Sequence, residues 1–561
     1  MRNNWIREVG WLLRFIAFST GERFVATRAA RWLTHAFRGF IEGSNRGSRD
    51  GGRRRGAAPP RLEALEGREL LSGVWHFASA PGQQPMQANV LALKPGAAID
   101  PIFIAPYDQS SNPGLLVGQT GPLIMSASGS PIWFHSLSNH NKYQAIDFQA
   151  QTLHGKPVLT WWQGTISGIQ PSNLPPGAAL PGGHFVIYNQ HYRQIASVQA
   201  PKGFSVDEHE LLLTPAGNAY IIATKTVRAN LTPYGGLPNG MYEDPFVLEI
   251  NLRTGRVIDS WNMAKHVPLS DSFEPAPTLP NHPWDVYHAN SIALSPDGSQ
   301  MLVSARNTWG IYDISRQSGQ ILWQVGGKQN QFTMPSSIVT GPYGSAFQYQ
   351  HDARYTSGGI SLFDDGGFGA PPASGPYGPG RALFLNLNFQ NHTASLASPP
   401  LYHNPPVYPN SQGNVQQLAN GDVFVGWGSD TGPGGVLSSD FTEYSPTGSV
   451  LADYSLAGQD ISYRAFSYPW VGIPFRKPVA AAGVANGQTT VYASWNGSTQ
   501  TVAWEVLAGP TRTALAPVLT TPRTGFETAI PTTNLGPYYK VLAIGAGDTI
   551  LKASNVIRVI G

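Results

Sequence analysis

The 561-residue chain has no cysteine, 37 Lys and Arg against 34 Asp and Glu, and only 13% charged residues beside 62 Gly, 47 Pro and 15 Trp. The absence of thiols excludes disulfides, thiolate zinc sites and cysteine nucleophiles, and the low charge with abundant Gly and Pro favours many short strands over long surface helices. The net charge of +3 is owed to positions 1–56, which hold 12 Arg and 4 acids; the remainder has 25 basic and 30 acidic residues, so the balance gives no reason to expect nucleic-acid binding.

The first segment, "WIREVGWLLRFIAFSTGERFVATRAARWLTHAFRGFI", is amphipathic with Arg throughout. Its uncharged runs fall well short of the roughly 18 to 20 apolar residues of a spanning helix, so no membrane-spanning segment is expected. A Gly/Arg/Pro linker, "GSNRGSRDGGRRRGAAPP", follows, and then "RLEALEGRELLSG" at 61–73. Leu62, Glu63, Leu65, Glu66, Arg68, Leu70, Leu71 and Ser72 resemble an N-terminal "LExLExRxLLS" motif of exported bacterial proteins. Residues 1–73 are therefore expected to be leader, linker and export-type motif outside the fold, and the protein to be exported to a periplasmic, cell-surface or extracellular location.

From residue 74 the texture is that of strands and hairpins. "EHELLLTPAGNAYIIATK", "HANSIALSPDGSQMLVSAR", "QHDARYTSGGISLFDD" and "QGNVQQLANGDVFVGWGS" share one plan: a polar start, an apolar run, a turn rich in Gly, Asn or Asp, and a β-branched or aromatic return. Between them lie strand pairs such as "PFVLEINLRTGRVIDSWNM" and "WGIYDISRQSGQILWQVGG", carrying Trp261 and Trp323. Four strands per repeat predicts β-propeller blades, six of them over 100–475. The polar starts are spaced by 79, 63 and 63 residues, so insertions are expected, the Pro-rich "DSFEPAPTLPNHP" and "GGFGAPPASGPYGPG" among them. Upstream, "GPLIMSASGSPIWFHS" and "YQAIDFQAQTLHGKPVLTWW" read as the first blade, and "HFVIYNQHYRQIASV" as strands of the second. After residue 475 the alternating strands of "TTVYASWNGSTQTVAWEVLAG" and "YYKVLAIGAGDTILKASNVIRVI" predict a C-terminal β-sandwich of immunoglobulin or fibronectin type. The fold class is thus all-β: a propeller over 74–475 and a sandwich over 476–561.

In a propeller, equivalent early positions of several repeats face one channel. His209, His288 and His351 occupy such positions; any one alone reads as a hydrogen-bonded structural residue, but three equivalent ones point to chemistry. Arg306 closes the strand returning from the His288 hairpin, where it offers a permanent planar cation suited to a tetrahedral oxyanion, unless it pairs with Asp285 or Asp313. Asn290, two residues from His288, falls by alternation on the same face as a second donor. Three functions fit: group transfer of an anion with a histidine nucleophile, a metal site in which Asp207, Glu208 and Asp352 join the histidines, or a binding-only propeller for a sugar or aryl ligand. The fixed charge of Arg306 opposes a divalent cation, and binding alone leaves three equivalent histidines unexplained.

The ordered series "DEHELLLTPAGNAYIIA", "HANSIALSPDGSQMLVSAR", "FQYQHDARYTSGGISLFDDGG", "QGNVQQLANGDVFVGWGS" and "SYRAFSYPWVGIP" resembles the nucleotide-independent arylsulfotransferases, over roughly 76–506. The resemblance implies a six-bladed propeller that moves a sulfuryl group from an aryl sulfate donor to a phenolic acceptor in two steps, with no cofactor and no metal. It also implies that His351 is the transient sulfohistidine, that His288, Asn290 and Arg306 bind sulfuryl oxygens and assist the phenolic oxygen, and that His209 completes the site. Only this resemblance prefers His351 to the other two histidines. The chain differs from the best-known periplasmic members in having no cysteine and in carrying its accessory domain at the C-terminus.

Overall fold

The computed structural model describes residues 73–559 apart from 99, 109–116, 138–142, 166–182, 337, 340–345, 368–377, 430–438, 459 and 534–535. The predicted leader and export-type motif, through residue 72, and most of the second Pro-rich insertion lie outside the described residues. The protein is all-β, and helix among the described residues is limited to short 3-10 turns such as Arg306–Thr308. None of these is long and apolar enough to cross a membrane.

Among the described residues, six antiparallel sheets of four or five strands lie between Asn89 and Ser467, beside a two-stranded one that pairs Pro106–Asp108 with Asp460–Ser462. The first pairs Phe466–Ser467 with Ile102–Ile104, Leu123–Met125 and Pro131–Phe134; the second runs Gln144–Leu153, Lys156–Gly164, His184–Asn189, Gln194–Val198. The third runs Ser205–Leu213, Asn218–Ala229, Gly240–Asn251, Val257–Asn262, and the fourth Ala289–Leu294, Gln300–Ala305, Gly310–Ser315, Ile321–Gly326. The fifth begins His351–Thr356, Gly359–Asp364, Arg381–Asn388, and the sixth joins four strands between Asn414 and Ser455 to the early strand Asn89–Leu93. The predicted hairpins recur, with Gly217 (φ 83°) and Gly298 (φ 70°) supplying the left-handed turn residue that a Cβ disfavours.

One expectation is corrected. "YQAIDFQAQTLHGKPVLTWW" and "HFVIYNQHYRQIASV" belong to a single sheet, the second, in which Val158 pairs with Asn189 and Gln163 with His184. The cause is the tight His154-Gly155 turn (φ 51° and 71°), which folds the first segment into a long hairpin whose far edge the second segment completes.

Apolar runs in these strands are continuous rather than alternating because both faces of each sheet are covered. Ile221 packs with Val158, Phe185 and Leu211 toward the second sheet, whereas its neighbour Ile222 packs with Ile292, Met301 and Val303 toward the fourth. Fully burying each such side chain contributes roughly 1.5–3 kcal/mol. Further clusters join the fourth sheet to the fifth (Leu302, Ile360, Leu383), the fifth to the sixth (Phe384, Val415, Val425), the sixth to the first (Phe424, Phe441, Ile104) and the first to the second (Phe103, Trp133, Leu159). Trp261, at its predicted place, buries its ring and donates from Nε1 to the Gly319 carbonyl of the next sheet at 2.9 Å.

Beyond residue 475, Val479–Ala485, Gln488–Ser494 and Glu527–Thr532 form one sheet, and Ala503–Gly509, Ala516–Pro522, Tyr538–Ile544 and Ile550–Ala553 belong to a second. Val491 and Ile530 from the one share a core cluster with Trp504, Val506, Tyr539 and Val541 from the other.

Candidate active site

The strands that open the second to fifth sheets are interrupted at equivalent places. Register shifts fall between Ile146 and Gln149, Val206 and Leu211, Ala289 and Ser291, and His351 and Arg354. Such bulges turn side chains off the pleat and are the means by which a sheet edge presents a site. Asp147, His288 and Asp352 take left-handed φ values of 54°, 52° and 54°, a conformation that costs a non-glycine residue of order 1–3 kcal/mol.

These bulges bring His209, His288 and His351 together. One ring nitrogen from each lies within 4.8 Å of the others, with ring centroids 4.7 Å apart for His209 and His288 and 6.5 Å apart for His288 and His351. Every ring is held at Nδ1 by a carboxylate: His209 by Asp207 at 2.6 Å, His288 by Asp285, and His351 by Asp365 at 2.8 Å. His351 is fully buried, and the Gln412 backbone N–H donates to its Nε2 at 3.3 Å. Its Nε2 is thereby the unprotonated nitrogen, and Nδ1 donates to Asp365. The Tyr463 ring stands 5.5 Å from His209 and 6.5 Å from His351.

Arg306 follows the strand Gln300–Ala305, its backbone N–H donating to the His288 carbonyl at 2.9 Å. Its guanidinium donates to Asn307 Oδ1 and the Asn410 carbonyl, each at 3.0 Å, and lies 4.6 Å from the Tyr349 ring centroid. Asn290 departs from the expectation by alternation. It falls inside the Ala289/Ser291 bulge, where period-two reasoning fails, and its fully buried amide donates to the Gln350 carbonyl at 2.7 Å. It thus braces the backbone immediately before His351.

Beneath the histidines lies an ionic network. Arg464, fully buried, donates to Asp147 at 2.8 Å, Glu210 at 3.1 Å and the Asn290 carbonyl at 2.9 Å. Arg354 reaches Glu210 at 2.7 Å and Asp352 at 2.6 Å, and Asp352 also accepts from the Val415 N–H at 3.0 Å. Asp352, weighed above as a metal ligand, is committed here.

Burial, then the charge of Arg306 and the neighbouring His209 and His288, holds His351 well below the usual imidazole range. Burial pushes its partner Asp365 well above the usual carboxylate range. For His209 burial works against charge, but the Asp207 carboxylate bonded to it and Glu208 beside it prevail and raise it to about 9. The cluster therefore presents a neutral imidazole next to an imidazolium and a guanidinium, an arrangement that receives an anion. Asp207, Glu208 and His209 also approach one another within ligand distance. A divalent cation there would have to displace the His209 proton and the Asp207 contact.

Sequence reasoning did not single out Asp365, weighed Asp285 only as a partner of Arg306 and not of His288, and passed over Tyr463, Arg464 and Gln412. The signal available for the first two was a carboxylate near each histidine: Asp285 three residues before His288, and Asp365 in "FDDGG" at the end of the strand that pairs with His351.

Fold and site together define an all-β protein with a largely buried, carboxylate-held histidine cluster. The arylsulfotransferase (ASST) family profile matches residues 149–440, over half of the chain and all of the cluster, and the chain belongs to that family. No curated protein matches it. Solved structures similar to it include a protein of unknown function from Bacteroides caccae, 13% identical, covering 65% of this chain and 98% of that one with a TM-score of 0.37. A second is a functionally unknown protein from Desulfotomaculum acetoxidans, 11% identical over 66% of this chain and 99% of that one, TM-score 0.33. A third is the β-propeller domain of Cps50 (Swd1) from Myceliophteria thermophila, 11% identical over 62% and 98%, TM-score 0.26.

Proposed function

We propose that the protein is an exported aryl-sulfate sulfotransferase that moves a sulfuryl group from an aryl sulfate to a phenol through a sulfohistidine on His351, by a ping-pong route without nucleotide. In this reading the six consecutive sheets are blades of a propeller over 74–475, residues 476–561 are a C-terminal sandwich, and residues 1–73 are leader and export-type motif. Core clusters joining each sheet to the next, and the sixth to the first, support the propeller.

The observation that carries the chemistry is the protonation pattern around His351: Nδ1 tied to Asp365, Nε2 accepting only a long bond from the Gln412 N–H, and cations alongside. Nε2 attacks sulfur as the bond from sulfur to the phenolic oxygen breaks. The departing phenolate takes the His209 proton, while Arg306 and His288 offset charge on the sulfuryl oxygens. The Gln412 N–H, released from Nε2, is then available to a sulfuryl oxygen. In the second half-reaction an acceptor phenol returns a proton to His209, its oxygen attacks sulfur, and the N–S bond to His351 breaks. Asn290 acts by positioning, through Gln350. The test is intact-mass measurement after brief exposure of the protein to an activated phenyl sulfate. One added sulfuryl group, absent in folded His351→Ala, is expected; no adduct and no phenol release from the folded protein would remove the proposal.

The close approach of three ring nitrogens favours a second reading, a metal-dependent hydrolase. It requires a stoichiometric divalent ion that is lost in His209→Ala or His288→Ala, measured by elemental analysis.

A further inference from the structure

A cavity of about 900 Å³ opens between the first two sheets and the chain beyond Pro474, and it shares no lining residue with the histidine cluster. Its walls are braced. Asn496 exchanges hydrogen bonds with the Phe134 backbone at 3.0 and 2.8 Å, Gly497 donates to the Ile132 carbonyl at 2.8 Å, and Ile473 donates to the Gln190 carbonyl at 2.9 Å. A void of this size between walls so tied is not loose packing, and it falls in the size range of ligand pockets.

The lining has one chemical character. The exposed Arg193 and Arg476 flank the half-exposed Phe475 ring at 4.7 and 5.7 Å, which brings both guanidinium groups to the cavity. Lys477 adds a third cation, and none of the described lining residues is acidic. Deeper, Tyr188 packs on Trp161 (4.6 Å) and His135 on Tyr188 (5.5 Å). The His135 ring nitrogens have no hydrogen-bond partner among the described residues, and burial with the Arg476 charge lowers the group to about 4, which leaves a neutral donor and acceptor.

An aromatic face, a neutral hydrogen-bonding imidazole, and clustered cations without opposing carboxylates are the complement of a polyhydroxylated anion, and the volume exceeds that of a single aryl ring. We propose that this cavity binds an acidic oligosaccharide, with a sugar ring against Tyr188, hydroxyl groups on His135 and sulfate or carboxylate groups on Arg193 and Arg476. This site is independent of the sulfuryl-transfer reading and stands or falls without it.

Calorimetric titration of the full chain with a sulfated tetrasaccharide, an unsulfated oligogalacturonate and neutral cellotetraose tests it. At least one acidic sugar should bind, cellotetraose should not, and Arg193→Ala with Arg476→Ala should weaken binding tenfold or more at an unchanged Tm. Binding of only one acidic sugar identifies the anion as sulfate or carboxylate. No binding of either at millimolar concentration, equal binding of cellotetraose, an unchanged affinity in the double variant, or binding of naphthalene sulfonate in place of the sugars would overturn the proposal.

Discussion

His351 can attack only while its ring is neutral, and its burial next to Arg306 and two further histidines ensures that state. Asp365 fixes which nitrogen carries the proton and stabilises the charge that grows on the ring during attack. Asp365→Asn is therefore expected to lower kcat about 10²-fold or more with little change in KM, measured by steady-state phenol release. His209 has the opposite task. Held as an imidazolium up to about pH 9 by Asp207, it should set an alkaline limb near pH 9 in the rate profile. Asp207→Asn removes the main support, so the limb should move toward the ordinary histidine value of about 6.5. The same raised value affects folding. Its stabilising contribution is complete below about pH 6.5, where the unfolded chain also binds the proton, and is lost as pH rises through about 9.

At the scale of the strand, the decisive feature is the bulge shared by the second to fifth sheets. A regular strand starting at His351 would send Asp352 to the opposite face; the interruption between His351 and Arg354 allows His351 to face the cluster while Asp352 reaches Arg354 and the Val415 N–H. Asp352→Ala leaves the partly exposed Arg354 guanidinium and the fully buried Arg464, whose guanidinium lies 3.6 Å from the same carboxylate, short of a partner and a backbone N–H without its acceptor, which should cost about 3 kcal/mol. Urea unfolding should show the lowered midpoint, and Asp352→Asn, which tolerates the left-handed backbone and can still accept, should lose less. The same feature explains Asn290. Period-two alternation placed it beside His288, but alternation holds only where the ladder is unbroken.

For the whole molecule, Arg464 is the residue on which distant segments converge: it touches Asp147, Glu210 and the Asn290 carbonyl, which come from the second, third and fourth sheets. Arg464→Met should lower the free energy of unfolding by the several kcal/mol typical of a broken buried pair, read as a strongly lowered Tm, whereas exposed Arg253→Ala should remain within about 0.5 kcal/mol of wild type. Turn glycines, apolar runs and regularly spaced polar starts are local properties, so the sequence by itself determined the all-β class, the hairpins, and that His209, His288 and His351 hold equivalent places. Only the tertiary structure decided which carboxylate serves each histidine, that Asn290 braces backbone, and that Arg464 links three sheets. Those choices depend on register shifts and on contacts between residues up to several hundred positions apart, and neither is encoded in the spacing of neighbouring residues.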